Sequence, residues 1–362
     1  MSLRERASFH TAPPVSPAHL PLRLRLDGEA LVANWRWLAR MSGTAACGAA
    51  VKADGYGLGA GEVVRRLGSA GCRDFFVATW AESEAVLPAI GEASLSVLHG
   101  IAAEDVAQAR ASRARPVLNT PLQVARWRES GGGRPCDVMI DTGMNRLGLS
   151  MRDVSDGLLD GLAIETLHSH LASADEDVPA NRRQREALAA LADKVPARRL
   201  SLANSAGVCL GPDYHFDLTR PGLALYGGVP RSEAAGRIAP VVRLEAQIIQ
   251  RRRIGRGDTV GYNATFTAER EMELAIVNLG YADGYLRGFS GTGQARVGHG
   301  LAPVIGRVSM DLTAICVDAA PELAEGDWIE IDFDLARASA QSGLSQYELL
   351  TTLGRRHQRL WS

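Results

Sequence analysis

Eight short apolar runs recur through the first two thirds of this chain, at 49–51, 75–79, 94–98, 116–118, 137–140, 164–170, 200–203 and 216–218. Between several of them lie amphipathic stretches with helical spacing, as at 61–70 and 183–191. Runs this short and this continuously apolar fit strands buried on both faces, the setting that helices packed on a parallel sheet provide. Eight alternations of strand and helix predict a (β/α)8 barrel of TIM type. The polar candidates follow the strands, at the end where such barrels carry their chemistry. Lys52 and Tyr56 come after the first run, Arg146 after the fifth, His170 at the end of the sixth, Ser205 after the seventh and Gly222 after the eighth.

After about Gly228 the pattern changes. Strand-like stretches begin at Val241, Leu274, Ala302, Leu312 and Trp328, separated by Gly, Asp and Asn turns, with a short helix expected near 345–353. Ahead of the barrel, Leu22-Arg-Leu-Arg-Leu26 alternates as a strand with one buried face. Asp27 is placed to cap a helix carrying Leu31, Trp35, Leu38 and Met41. The expected organisation is a flexible N-terminal extension over 1–21, a barrel over 22–235 and a mostly β domain over 236–362.

Composition narrows the class of function. With 40 basic and 41 acidic residues the net charge is −1, so nothing favours nucleic acid or a membrane surface. No apolar run approaches the roughly 18 residues of a membrane helix, and no secretory signal is read at the N-terminus. The five cysteines lack paired or metal-like spacing, as expected of reduced core thiols in a cytoplasmic protein with no metal.

The stretch Ala49-Ala50-Val51-Lys52-Ala53-Asp54-Gly55-Tyr56-Gly57-Leu58-Gly59 holds the first chemistry. A lysine at the mouth of an apolar strand is partly desolvated, which lowers its pKa and suits it to act as a base or to condense with an aldehyde. Taken alone, the same residues more readily describe a lysine that snorkels from a strand end ahead of a glycine turn.

The stretch has company. Asp141-Thr-Gly-Met-Asn-Arg-Leu-Gly148, His170-Leu-Ala-Ser-Ala-Asp-Glu176, Leu202-Ala-Asn-Ser-Ala206, Arg220-Pro-Gly-Leu-Ala-Leu-Tyr-Gly227, Val260-Gly-Tyr262, Gly280-Tyr-Ala-Asp-Gly-Tyr285 and Gly306-Arg-Val-Ser-Met-Asp311 follow in order. This ordered set resembles the alanine racemase family, enzymes of fold-type III that use pyridoxal 5′-phosphate (PLP). The resemblance runs from about Leu22 to the C-terminus. It implies that Lys52 holds PLP and serves as one base, with Tyr262 from a partner subunit as the other. It implies that Tyr56, Ser205, Gly222 and Leu223 bind the phosphate, and that Arg220 donates to the pyridine nitrogen. Arg146 and Met310 are implied to meet the substrate, His170 to support the tyrosine, and Asp311 to belong with Met310 to the segment closing the site. Each site would then need two subunits, and the protein would be at least a homodimer.

Four positions depart from the family pattern. Met139 stands where many members carry a carbamylated lysine that steadies the arginine here numbered 146, and some relatives let a small anion do that work. Ser201 stands where many have a histidine supporting the pyridine arginine. Leu58 replaces the usual histidine of the glycine turn, and Asn145 a common glycine. Racemisation of alanine is the expected activity. A serine or broad-specificity racemase differs only in pocket shape, which the sequence does not fix. A fold-type III decarboxylase would want a reactive cysteine in the C-terminal domain, where Cys316 is the only one. A non-catalytic PLP-binding protein would resemble the barrel alone.

Overall fold

The computed structural model describes residues 20–362. All but the end of the extension expected over 1–21 lies outside the described residues.

The strands of the barrel are β2 (Ala46–Cys47), β3 (Ala49–Ala50), β4 (Asp74–Val77), β5 (Ser94–Val97), β6 (Arg115–Leu118), β7 (Cys136–Met139), β8 (Ile164–His168), β9 (Ala197–Ser201) and β10 (Leu218–Thr219), while β1 is Leu22–Leu26. From β3 to β9 they form one seven-stranded parallel sheet in chain order. The eighth run, β10, pairs in parallel with β2. Above it, Gly48 N donates to Thr219 O and Ala50 N to Pro221 O, while Arg220 N reaches Ala203 O on the other side. The segment around β10 thus joins both ends of the sheet and completes a TIM-like ring. β10 is only two residues long because Pro221 has no N–H with which to continue it. All four residues of β4 and of β7 are buried, since helices cover the outside and side chains fill the inside.

The rest is mostly β: β11 (Val242–Ile254), a hairpin of β12 (Thr259–Val260) and β13 (Phe266–Thr267), then β14 (Met272–Val277), β15 (Gln294–Val297), β16 (Gly300–Ile305), β17 (Thr313–Cys316), β18 (Trp328–Ile331) and β19 (Gln358–Trp361). The order is β14-β17-β16-β15-β18-β11-β1-β19, and β11 also pairs with β14. The long β11 makes this possible by bulging between Ile248 and Gln250: its first half meets β1 and β18, its second half β14. β1 was expected with the barrel that follows it, but it lies in this second sheet, antiparallel to β11 and parallel to β19. Its alternation is as read, with Leu22, Leu24 and Leu26 all buried. Asp27 caps the helix Gly28–Met41 by accepting from Ala30 N at 2.8 Å.

One apolar core runs through both parts, from Leu31 and Val63 in the barrel to Ile329 and Leu350 beyond it. Two helices follow β18: Leu335–Ser342, which the sequence reading missed, and Gln346–Thr351, close to the expected place. The second lies against the lysine turn. A Cβ at Gly57 would fall 2.6 Å from Leu350 O, and its φ of +84° is left-handed, so both the contact and the conformation require glycine.

Candidate active site

Directly after β3 the backbone makes one left-handed turn. Ala53, Asp54, Gly55 and Tyr56 take φ values of 53°, 53°, 63° and 56°. Three of these carry a Cβ, at a cost of roughly 1–2 kcal/mol each, so the turn must be fixed by its surroundings. Gly55 N bonds Val51 O, Gly57 N bonds Ala53 O, and Asp54 accepts from Ala60 N at 2.9 Å. Glu82 accepts from Ala53 N at 2.8 Å, and Arg359 donates to Gly57 O at 2.9 and 2.7 Å. The turn points Lys52 into a cavity of about 840 Å3 at the C-terminal end of the barrel strands. Burial and the charge of Arg146 lower the Lys52 pKa, Glu82 opposes them, and Arg220 adds to the lowering.

Arg220 is buried in the floor of this cavity. It donates to Ser201 Oγ, to Ser169 O at 2.7 Å and towards His170 Nδ1 at 3.4 Å. Ser201 in turn donates to Leu218 O. The serine therefore still holds the guanidinium at a position where many family members have a histidine. Burial pushes the Arg220 pKa down to about 10, which leaves it charged at neutral pH. His170 is pushed down to about 3 by burial and by the charges of Arg220, Arg146 and Lys52. An arginine only donates, so Nδ1 of a neutral His170 accepts and the ring proton sits on Nε2.

Ser205 also lines the cavity, and its Oγ accepts from Gly222 N at 2.9 Å and Ala224 N at 3.2 Å. The cap of its helix is Asn204, which accepts from Gly207 N, so the serine hydroxyl is spared for the neighbouring turn. A Cβ at Gly222 would lie 2.2 Å from Tyr56 Oη. Tyr56 is buried and stacks on Tyr226 with ring centroids 4.6 Å apart. Leu223 completes this wall of the cavity.

Arg146 rides on a loop built by Asp141, which accepts from Gly143 N, Met144 N and Arg146 N at 2.8, 2.9 and 3.1 Å. Asn145 takes φ +56°, and asparagine tolerates this left-handed position where many relatives have glycine. The Arg146 guanidinium lines the cavity but makes no hydrogen bond or ion pair with the described residues. Met139, on β7, is buried and offers it no charge.

The cavity thus gathers Lys52, Tyr56, Arg146, His170, Ser205, Arg220, Gly222 and Leu223. It does not gather Tyr262, Met310 or Asp311. Tyr262 is 66% exposed on the β12–β13 hairpin and Met310 is 53% exposed. Asp311 pairs with Arg356 at 2.7 Å. These residues share one surface: Gly306 packs against Val260 O, and a Cβ at Gly261 would lie 3.3 Å from Arg307 N. Cys316 is buried in β17 away from the cavity, and burial raises its thiol pKa, so it is no candidate nucleophile.

Sequence reasoning missed Tyr347. Its ring lines the cavity mouth with a centroid 6.3 Å from that of Tyr56 and remains 42% exposed, and partial desolvation, then Asp175, push its phenol up. The Ser345–Glu348 capping box marked its helix, but nothing local placed that helix at the barrel mouth. The donor set fits PLP chemically: two hydroxyls and the Gly222–Ala224 turn for a phosphate, an amine for an aldehyde, and a guanidinium for a ring nitrogen.

Two family models match in tandem, the alanine racemase N-terminal domain over residues 26–230 and the C-terminal domain over 241–361. An alanine racemase of Acidiphilium cryptum is 43% identical, covering 93% of this chain and 98% of that protein. From Agrobacterium fabrum, a biosynthetic alanine racemase is 42% identical and a catabolic one 40%, over 94% and 93% of this chain and 93% and 91% of those proteins. The crystal structure of the alanine racemase of Bartonella henselae with covalently bound pyridoxal phosphate superposes with a TM-score of 0.88 at 32% identity, covering 96% of this chain and all of that one. This chain belongs to the alanine racemase family.

Proposed function

We propose that this chain is a PLP-dependent isomerase that interconverts L-alanine and D-alanine. The observation that carries the reading is the meeting, in one cavity, of a pKa-lowered lysine, a buried arginine beside a neutral histidine, and a hydroxyl-lined glycine turn. When bound, PLP supplies the electron sink that makes an α-proton removable. Lys52 would hold it and act as the base on one face of the substrate. Tyr56, Ser205 and the backbone at Gly222 and Leu223 would hold its phosphate. Arg220 would donate to the ring nitrogen without readily giving up a proton, which keeps electron density off the ring and favours return of the proton over transamination. Arg146 would orient the substrate carboxylate and the cofactor oxygen.

The second base would be Tyr262 of a second copy. Tyr56 and Tyr347 also line the cavity, but Tyr56 is stacked on Tyr226 beside Gly222 and both phenols are pushed up, while Tyr262 and Met310 stand exposed together on the other domain. Paired as a homodimer, each chain would close its partner's site, with His170 taking part in the tyrosine's proton balance and Asp311 fixing the Met310 segment through Arg356. Among the described residues no helix is long and apolar enough to cross a membrane. The five free cysteines fit a reducing, cytoplasmic setting.

The test uses an unusual feature of the chain, which has only two lysines, Lys52 and Lys194. Borohydride treatment of the PLP-loaded protein should fix the cofactor on the peptide carrying Lys52 and leave Lys194 unlabelled. In D2O the protein should deuterate and racemise alanine together. Label on Lys194, or exchange with retained chirality, would sink the reading. Preferred turnover of serine would move it to a serine racemase.

A further inference from the structure

Glu82 has a contact pattern that a helix cap alone does not explain. It lies in the helix Trp80–Val86, directly after β4. Its Oε2 accepts from Ala78 N at 2.6 Å and Thr79 N at 3.3 Å, while Thr79 Oγ1 accepts from Glu82 N at 3.3 Å. This is the reciprocal capping box that starts the helix. A carboxylate needed only for that box has no use for its second oxygen. Here Oε1 crosses 29 positions of sequence to accept from the backbone N–H of Ala53 at 2.8 Å. Ala53 immediately follows Lys52 and is itself in the left-handed region.

The charges around the lysine add a second reason. Arg146 approaches it from the loop after β7 and Arg220 from the turn after β10, and both disfavour an ammonium. His170, after β8, is neutral and supplies no compensation. Of the charged groups that act on Lys52, Glu82 alone is acidic. A base that removes an α-proton must hold it as an ammonium until it is returned. Between two arginines that state needs a carboxylate nearby.

We propose that Glu82 is a positioning residue for Lys52: one oxygen fixes the strained turn just behind the lysine, the other ties that turn to the end of β4, and the charge lets the amine keep a proton it has taken up. The proposal rests on the reading of Lys52 as the cofactor lysine and base.

The full chain, freed of cofactor with hydroxylamine, tests it without turnover. Competitive labelling with acetic anhydride across pH, read by peptide mass, gives the titration midpoint of Lys52 against exposed Lys194 as an internal reference. Glu82→Gln should lower the Lys52 midpoint by roughly one pH unit. Thr79→Ala, which removes a cap hydrogen bond but leaves Glu82 in place, should leave it at the wild-type value. Glu82→Asp keeps the charge on a shorter arm: its midpoint should stay near wild type while PLP capture, followed by absorbance, slows several-fold. An unchanged midpoint in Glu82→Gln, or an equal shift in Thr79→Ala, would reduce Glu82 to a helix cap. Should the amide variant not fold, wild-type PLP capture by Glu82→Asp would overturn the positioning role. Failure of borohydride to fix PLP on Lys52 would instead sink the functional reading, and the titration result would stand.

Discussion

The barrel mouth and the hairpin surface of the second domain carry the two halves of the expected chemistry, and they are built differently. At the barrel mouth almost every group is already held. Arg220 is buried with partners on Ser201, Ser169 and His170, Ser205 clasps the Gly222 turn, and Asp141 braces the Arg146 loop. On the hairpin surface Tyr262 and Met310 stand in the open. Groups that must be pre-oriented for a charged cofactor are fixed within one chain, where low dielectric and fixed dipoles act at full strength. Groups left exposed gain an environment only when something covers them, and in the proposed homodimer a second copy of this chain would supply both the cover and the second base.

The sharpest way to break this comparison is to divide the two halves between chains. Lys52→Ala and Tyr262→Phe should each lower alanine racemisation by about 10^3-fold or more, the scale of losing a catalytic base. If the halves come from different chains, co-expressing the two variants should restore activity. In a random mixture about a quarter of sites receive both intact residues, since a two-fold dimer pairs each chain's Lys52 with its partner's Tyr262. Recovery to near a quarter of the wild-type rate supports the divided site. No recovery, with dimers present by light scattering, would place both bases in one chain.

The two halves also differ in how far the sequence revealed them. The barrel was legible because its strands are short apolar runs in chain order, each paired with the next, so local pattern and topology agree. The second sheet is built from distant partners: Leu24 pairs with Leu244, and no local period announces that. The cluster around Lys52 was legible as motifs, but the side chains that hold it were not. Glu82 and Arg359 act across 29 and 302 positions, on backbone groups that any residue would present. Tyr347 was hidden for the same reason, being brought to the mouth by the packing of its helix against Gly57. Ser201 looked like a lost support, yet its hydroxyl fills part of that role because Leu218 O orients it towards Arg220.

One member of the barrel half is not fixed in this way, and it gives the next prediction. The Arg146 backbone is braced by Asp141, but its guanidinium has no partner among the described residues and Met139 beneath it carries no charge. Met139→Lys, assayed with bicarbonate to allow carbamylation, should raise kcat/KM for alanine by a few-fold, the scale of one charge-assisted hydrogen bond. A rate unchanged or lower across bicarbonate concentrations would mean that Arg146 is adequately placed without support.

The smallest effect compares the halves by their response to acid. Beneath Arg220 the barrel buries His168, pushed down to about 4 by burial despite its neighbour Asp137, and beside it His170, pushed down to about 3. On the other half Tyr262 and Met310 are exposed and Asp311 is paired with Arg356, but His357, beside that arginine, is also buried and lowered and adds to the same trend. An imidazole depressed in the folded state binds fewer protons there than in the unfolded chain, whose histidines titrate near 6.5. Its contribution is therefore fully present above pH 6.5 and is lost as pH falls from there towards the folded value. Each depressed histidine should add a slope of up to about 1.4 kcal/mol per pH unit in that window. Asp137 and Asp141, also lowered, act with the same sign but at more acid pH. Urea unfolding between pH 4.5 and 7.5 should show stability rising with pH, and His168→Asn should flatten the rise while lowering stability across the whole range, because the fully buried ring packs edge-on against Phe76 with ring centroids 5.8 Å apart and its loss leaves a cavity. An equal slope in the variant would mean that the acid sensitivity lies outside the barrel floor, and that this half is held by packing rather than by keeping its imidazoles neutral.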